Sequence, residues 1–192
     1  MSHAEQVRLL IRGGASLIQL REKTASPAEF YREAVEAVRV AHSHNVKIVI
    51  NDRVDIAIAA GADGVHLGQE DLPPDDARRL LGTDAIIGFS THSEDQARSA
   101  LKLPIDYVAF GPIFSTETKP DHDPVVGLNL LSAVAKIVGD LPLVAIGGIG
   151  RANIQSVIGC GADSAAIISG LFAGPRSISE NLFEMLEAAN IV

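Results

Sequence analysis

Gly61-Ala62-Asp63-Gly64-Val65-His66-Leu67-Gly68-Gln69-Glu70-Asp71 places a glycine joint, an apolar run and an acidic loop in direct succession. Glycine at such a joint can end a helix in the left-handed conformation and turn the backbone directly into a strand. The joint recurs as Gly161-Ala162-Asp163-Ser164 and, in related form, as Gly13-Gly14-Ala15. Repeated use of one helix-to-strand joint favours a barrel of equivalent units over an open sheet.

Reading outward from these joints, short apolar runs alternate with longer amphipathic stretches. Strands are predicted over 16–21, 47–51, 64–68, 85–90, 107–112, 143–147 and 164–169. Helices are predicted over 27–44, 52–60, 93–101, 128–138, 152–160 and 178–189, and 3–13 also reads as helix. Ser26 followed by Pro27, and Ser93, supply N-terminal caps. The expectation is one α/β domain over 1–192, a (β/α)8 TIM barrel lacking its first β-strand. A start recorded downstream of the true one accounts for this better than an open barrel, whose gap would leave two unpaired backbone edges.

Composition restricts the function. Of 192 residues 47% are hydrophobic and 21% charged, with no Trp, which describes a soluble chain with an aliphatic core. A formal charge of −8 disfavours a nucleic-acid surface. A single cysteine, Cys160, forms no internal disulfide, and neither a signal core nor a membrane span is present, so a cytoplasmic setting is expected. Homo-oligomer formation is left open.

In a barrel, chemistry belongs to the C-terminal ends of the strands and the loops after them. Gln19, Arg21 and Lys23 alternate after the first predicted strand and can meet one diphosphate, or form a solvated loop. Asn51-Asp52 and Asp71 stand at neighbouring strand ends, where two carboxylates suit Mg2+; Asp52 alone reads equally as a helix cap. His66, inside its strand, reads first as a packed, hydrogen-bonded histidine. Ser90 or Thr91 could bind ligand or cap a helix. The long loop through Thr116, Glu117, Thr118 and Lys119 reads as a lid or binding element. Glycines in 146–150 and 168–170 let backbone N–H groups approach a second phosphate, although tight packing explains them too.

Taken in order, QLREK (19–23), ND (51–52), HLGQED (66–71), GFSTH (88–92), GPIFSTETK (111–119), IGGI (146–149) and ISG (168–170) resemble the motif set of the thiamine phosphate synthases, over about 4–190. That family joins 4-amino-2-methyl-5-hydroxymethylpyrimidine diphosphate to 4-methyl-5-(2-phosphoethyl)thiazole, or its carboxylate with loss of CO2, releasing pyrophosphate. The resemblance implies that Gln19, Arg21, Lys23, Asn51, Ser90 and Lys119 bind the pyrimidine diphosphate and that Asp52 and Asp71 bind Mg2+. Arg21, Lys23, Ser90 and Lys119 would act in catalysis. Thr116, Glu117, Thr118, Gly148, Ile168 and Ser169 would hold the thiazole phosphate. The rivals are a thiazole tautomerase on the same barrel, a non-catalytic phosphate-binding relative, and a sugar-phosphate isomerase or epimerase. The retained cations, the two aspartates and the TETK loop argue against the tautomerase.

Overall fold

A computed structural model describes residues 1–116, 124–174 and 176–190. Short polar signals decide where its helices begin. Ser2 and Glu5 form a reciprocal capping box before α1 (His3–Arg12), and Ser26 and Glu29 do the same before α2 (Pro27–His42), with Pro27 in its first turn. The Ser93 hydroxyl accepts the Gln96 N–H and opens α5 (Glu94–Ala100). Ser177 and Glu180 box the start of α8 (Ile178–Ala188). The remaining helices are α3 (Val54–Ala60), α4 (Pro74–Leu81), α6 (Gly127–Val138) and α7 (Ile154–Gly159).

Between them run β1 (Leu17–Leu20), β2 (Lys47–Asn51), β3 (Gly64–Leu67), β4 (Ile86–Thr91), β5 (Tyr107–Phe110), β6 (Leu143–Ile146) and β7 (Ser164–Ala166). They form one curved sheet of seven parallel strands, each paired with the next in sequence. The seven predicted strands are therefore all present, most of them shorter at the C-terminal end. The predicted tail of the last strand instead becomes a short 3-10 turn, Ser169–Phe172. Helix α4 has no counterpart among the predicted helices; its cue was Pro73-Pro74 followed by Asp75 and Asp76 in the first turn.

Alternation along the strands sorts side chains to two faces. Ile18, Leu20, Ile48, Ile50, Val65, Leu67, Ile87, Val108, Phe110 and Leu143 point toward the helices and form the main apolar core. The opposite face is lined in register by Asn51, His66, Gly88 and Tyr107, with Ser90 beside Ala109 one step further up. Helix α1 packs against α8, so the helical layer meets around the sheet although β1 and β7 do not pair.

At the lower end, aspartates staple adjacent strands. Ile48 N–H donates to Asp63 (2.9 Å), Ile87 N–H to Asp106 (2.7 Å) and Leu143 N–H to Asp163 (2.8 Å). Two of these aspartates, Asp63 and Asp163, belong to the glycine joints. Each accepts the N–H of the preceding strand in space, which pins register where the chain enters the sheet. Among the described residues no helix is long and apolar enough to cross a membrane.

Candidate active site

The C-terminal ends of β1 to β4 bring the expected polar residues to one mouth. Asp52 follows β2 with a φ of 60°, a left-handed conformation that costs a non-glycine residue about 1 kcal/mol. Its N–H is anchored on the His66 carbonyl (2.9 Å). The Asp52 side chain does not cap α3: Arg53 holds the cap position and no side chain bonds there. Asp52 forms an ion pair with Lys23 across the loop after β1.

Asp71 reaches the same place from the loop after β3. One of its oxygens accepts the Gly68 N–H (2.6 Å). Burial, and then the Asp52 carboxylate beside it, raise the Asp71 carboxyl above its ordinary value, while the Gly68 N–H and Lys23 oppose them. Two carboxylates in hydrogen-bond reach of each other repel unless a cation lies between or beside them. Lys23 supplies part of that charge.

Among the described residues no cluster of three or more His, Cys, Asp or Glu is placed to hold a metal. A hard cation at Asp52 and Asp71 would therefore complete its shell with water and ligand oxygens, which is how Mg2+ is commonly bound beside phosphates.

Arg21 is exposed, and among the described residues it has no hydrogen-bond or ion-pair partner. Between Arg21 and Lys23, Glu22 folds the loop by accepting from the Thr24 N–H (2.6 Å), the Thr24 hydroxyl (2.8 Å) and the Ala25 N–H (3.1 Å). The Thr24 and Ala25 bonds pull its carboxyl down to about 2. Sequence reasoning passed over Glu22; its signal is a carboxylate two residues before a threonine, the spacing of a local side-chain turn. Gln19 is exposed on β1, two positions before Arg21. Asn51 lies beside His66 in register.

Ser90 neither caps a helix nor stands free. Its hydroxyl meets His66 Nε2 (2.8 Å), and its carbonyl accepts from Gln69 Nε2 (2.6 Å). Thr91 turns away from the mouth, donating to the Ala109 carbonyl (3.0 Å) in the core. His66 is 5% exposed, and burial pulls its imidazole down to about 4, so it is neutral at pH 7. The packed, hydrogen-bonded reading of His66 holds, but its partners connect it to the mouth.

A second region lies under the ends of β6 and β7. A cavity of about 800 Å3 is lined by Thr116, Gly148, Ser169, Gly170, Arg151 and Glu184, among others. Gly148 has a φ of 63°, and a Cβ there would stand 2.5 Å from the Ser115 carbonyl, so only glycine fits this turn. Asn153, also missed from the sequence, locks the turn: it accepts the Gly150 N–H (2.9 Å) and donates to the Gly148 carbonyl (3.0 Å). Arg151 and Arg176 share Glu184 at 2.6 and 2.9 Å. Ile168 is 43% exposed beside this cavity but does not line it. Glu117, Thr118 and Lys119 lie outside the described residues.

Two differently built regions thus lie toward the C-terminal ends of the strands, one carrying paired carboxylates and cations, the other a glycine turn, hydroxyls and arginines. The family model for Thiamine monophosphate synthase matches residues 1–171. A thiamine-phosphate synthase of Koribacter versatilis is 46% identical over 179 residues, covering 93% of this chain and 84% of that protein. One from Syntrophomonas wolfei is 46% identical over 167 residues, 87% of this chain and 79% of the relative. The solved thiamine phosphate pyrophosphorylase of Pyrococcus furiosus superposes with a TM-score of 0.87 at 34% identity, over 98% of this chain and 89% of that one. By its sequence and by its fold, the chain belongs to the thiamine monophosphate synthase family.

Proposed function

We propose that the family's reaction, transfer of a pyrimidinylmethyl group from its diphosphate to a thiazole phosphate with release of pyrophosphate, runs at this mouth with the two substrates held by the two sites. The observation that carries the reading is the Asp52–Asp71 carboxylate pair set beside Lys23. Such a pair is costly in a bare fold and useful where a divalent cation and a diphosphate meet.

Gln19, Arg21, Lys23, Asn51 and Ser90 face the pyrimidine diphosphate, together with Lys119 of the loop outside the described residues. Asp52 and Asp71 would hold Mg2+, which when bound would neutralise charge on the diphosphate. Arg21 and Lys23 stabilise the charge that grows on pyrophosphate as the C–O bond breaks and the electron pair leaves with it. The thiazole nitrogen, held alongside, donates its lone pair to the pyrimidine methylene carbon. No protein nucleophile takes part. Thr116, Gly148, Ser169 and the neighbouring Ile168 hold the thiazole phosphate, with Glu117 and Thr118 assigned there by resemblance. The thiazole carboxylate is accommodated by the same reading, with CO2 as an added product.

The seven strands fit seven of the eight positions of a (β/α)8 barrel, the eighth lying between β1 and β7. Contact of α1 with α8 supports this, as does the 43% exposure of Leu17 on β1, the strand beside that position.

Titrating pyrophosphate release with Mg2+ tests the metal assignment. Asp71→Asn is expected to raise the Mg2+ concentration for half-maximal rate by roughly tenfold or more. An unchanged Mg2+ curve in that variant would overturn it.

A further inference from the structure

A chain of hydrogen bonds crosses the inner face of the sheet below the mouth. Tyr107, on β5 and 7% exposed, extends over Gly88 of β4 to reach His66 on β3, its hydroxyl 2.8 Å from Nδ1. The ring occupies the space a side chain at 88 would take, since a Cβ there would lie 2.0 Å from Tyr107 Cζ. The two rings stack with centroids 5.5 Å apart. The other imidazole nitrogen meets the Ser90 hydroxyl at 2.8 Å.

Counting donors fixes the direction of the chain. A buried phenol must donate its proton, and among the described residues the hydroxyl of Tyr107 has His66 Nδ1 as its hydrogen-bond partner. Nδ1 is then the acceptor, so the single proton of the neutral imidazole sits on Nε2 and is donated to Ser90 Oγ. Ser90 is thereby held as an acceptor from below, and its own O–H must turn away from His66. The opposite tautomer would reverse this, with Ser90 donating to Nε2 and nothing left to offer a ligand.

We propose that Tyr107 and His66 are positioning residues that fix the tautomer below Ser90 and so present its hydroxyl as a hydrogen-bond donor to the departing diphosphate. This rests on the placement of Ser90 in the pyrimidine diphosphate site. Gly88 serves the same end by leaving room for the Tyr107 ring to cross β4.

The test is a double-mutant cycle on the full chain, reading Mg2+-dependent pyrophosphate release with Ser90→Ala, Tyr107→Phe and the pair. Ser90→Ala is expected to lower kcat by roughly ten- to a hundredfold. Tyr107→Phe should lower kcat by roughly three- to tenfold with KM for the thiazole phosphate unchanged, and should have no further effect once Ser90 is alanine. If Ser90→Ala is fully active, the placement of Ser90 is wrong and the proposal falls with it. If Ser90→Ala is impaired but Tyr107→Phe is silent, or costs the same in both backgrounds, the placement stands and the positioning role is refuted. An independent reading comes from 15N-NMR of histidine-labelled wild-type protein. A neutral His66 protonated on Nε2 is expected, and one protonated on Nδ1 would overturn the proposal even if the variants fail to fold.

Discussion

At the lower end of the sheet Asp63, Asp106 and Asp163 each accept a backbone N–H from the neighbouring strand, whereas at the upper end Asp52 and Asp71 face one another. The lower aspartates are matched by donors. Asp63 also meets Lys47 at 2.6 Å and His42 at 2.9 Å, and Asp106 meets Arg78 at 2.6 Å. Burial works against the Asp63 charge, yet Lys47, the Ile48 N–H and His42 together hold its carboxyl below the ordinary value. Burial and Asp52 do the reverse to Asp71. One residue type therefore secures register at one end of the strands and stores unbalanced charge at the other. That division is the one expected of a barrel whose lower face maintains the fold and whose upper face carries the chemistry.

Breaking the upper pair should give the largest effect. Asp52→Asn relieves repulsion with Asp71 while removing a proposed metal ligand, so the rate of pyrophosphate release should fall roughly a thousandfold with the melting temperature held or raised. A stable variant with normal turnover would remove Asp52 from the metal site. Arg21→Ala comes next: kcat/KM should drop by roughly a hundredfold with stability unchanged, because Arg21 is exposed and has no partner among the described residues to lose. A fall in melting temperature that accounts for the lost rate would make Arg21 structural instead.

Asp63→Ala attacks the lower end and should do the opposite. Leaving the Ile48 N–H without its acceptor costs about 1–3 kcal/mol, or roughly 2–4 °C of melting temperature per kcal/mol, while the kinetic constants of folded enzyme stay put. The pH dependence has a definite sign. A carboxyl held below its ordinary value stabilises the fold above that value, 3.8, and loses the contribution as pH falls through the lower folded value. The gap in melting temperature between wild type and Asp63→Ala should thus shrink as pH falls below about 3.8. A gap that widened in acid would contradict the staple. The smallest effect is expected for Ser169→Ala, a rise of roughly three- to tenfold in KM for the thiazole phosphate alone. A change confined to the pyrimidine substrate would show that the mouth is divided differently.

The lower end was largely legible in the sequence because its device repeats. Gly61-Ala62-Asp63 and Gly161-Ala162-Asp163 announce the joint, although the staple itself, a bond to the preceding strand, appears only once strands are paired. Helix α4 was missed because Pro73-Pro74 reads as an interruption, while in space it is simply the first turn of a short helix. At the upper end, Arg21, Lys23, Asp52 and Asp71 could be read off strand ends. What could not be read was the choice between competing local roles. That Asp52 does not cap α3 shows only in the backbone, and Thr91 and Ser90 differ only in which face each meets. The Tyr107–His66–Ser90 chain joins residues far apart in sequence and depends on parallel register, so no local pattern carries it.

The most direct test of this account measures pyrophosphate release by the 192-residue chain given the pyrimidine diphosphate and the thiazole phosphate, singly and together, with Mg2+ and with EDTA. The account predicts release only with both substrates and Mg2+, abolished by EDTA and by Asp52→Asn. Release that persisted in EDTA, or that needed no thiazole phosphate, would contradict it.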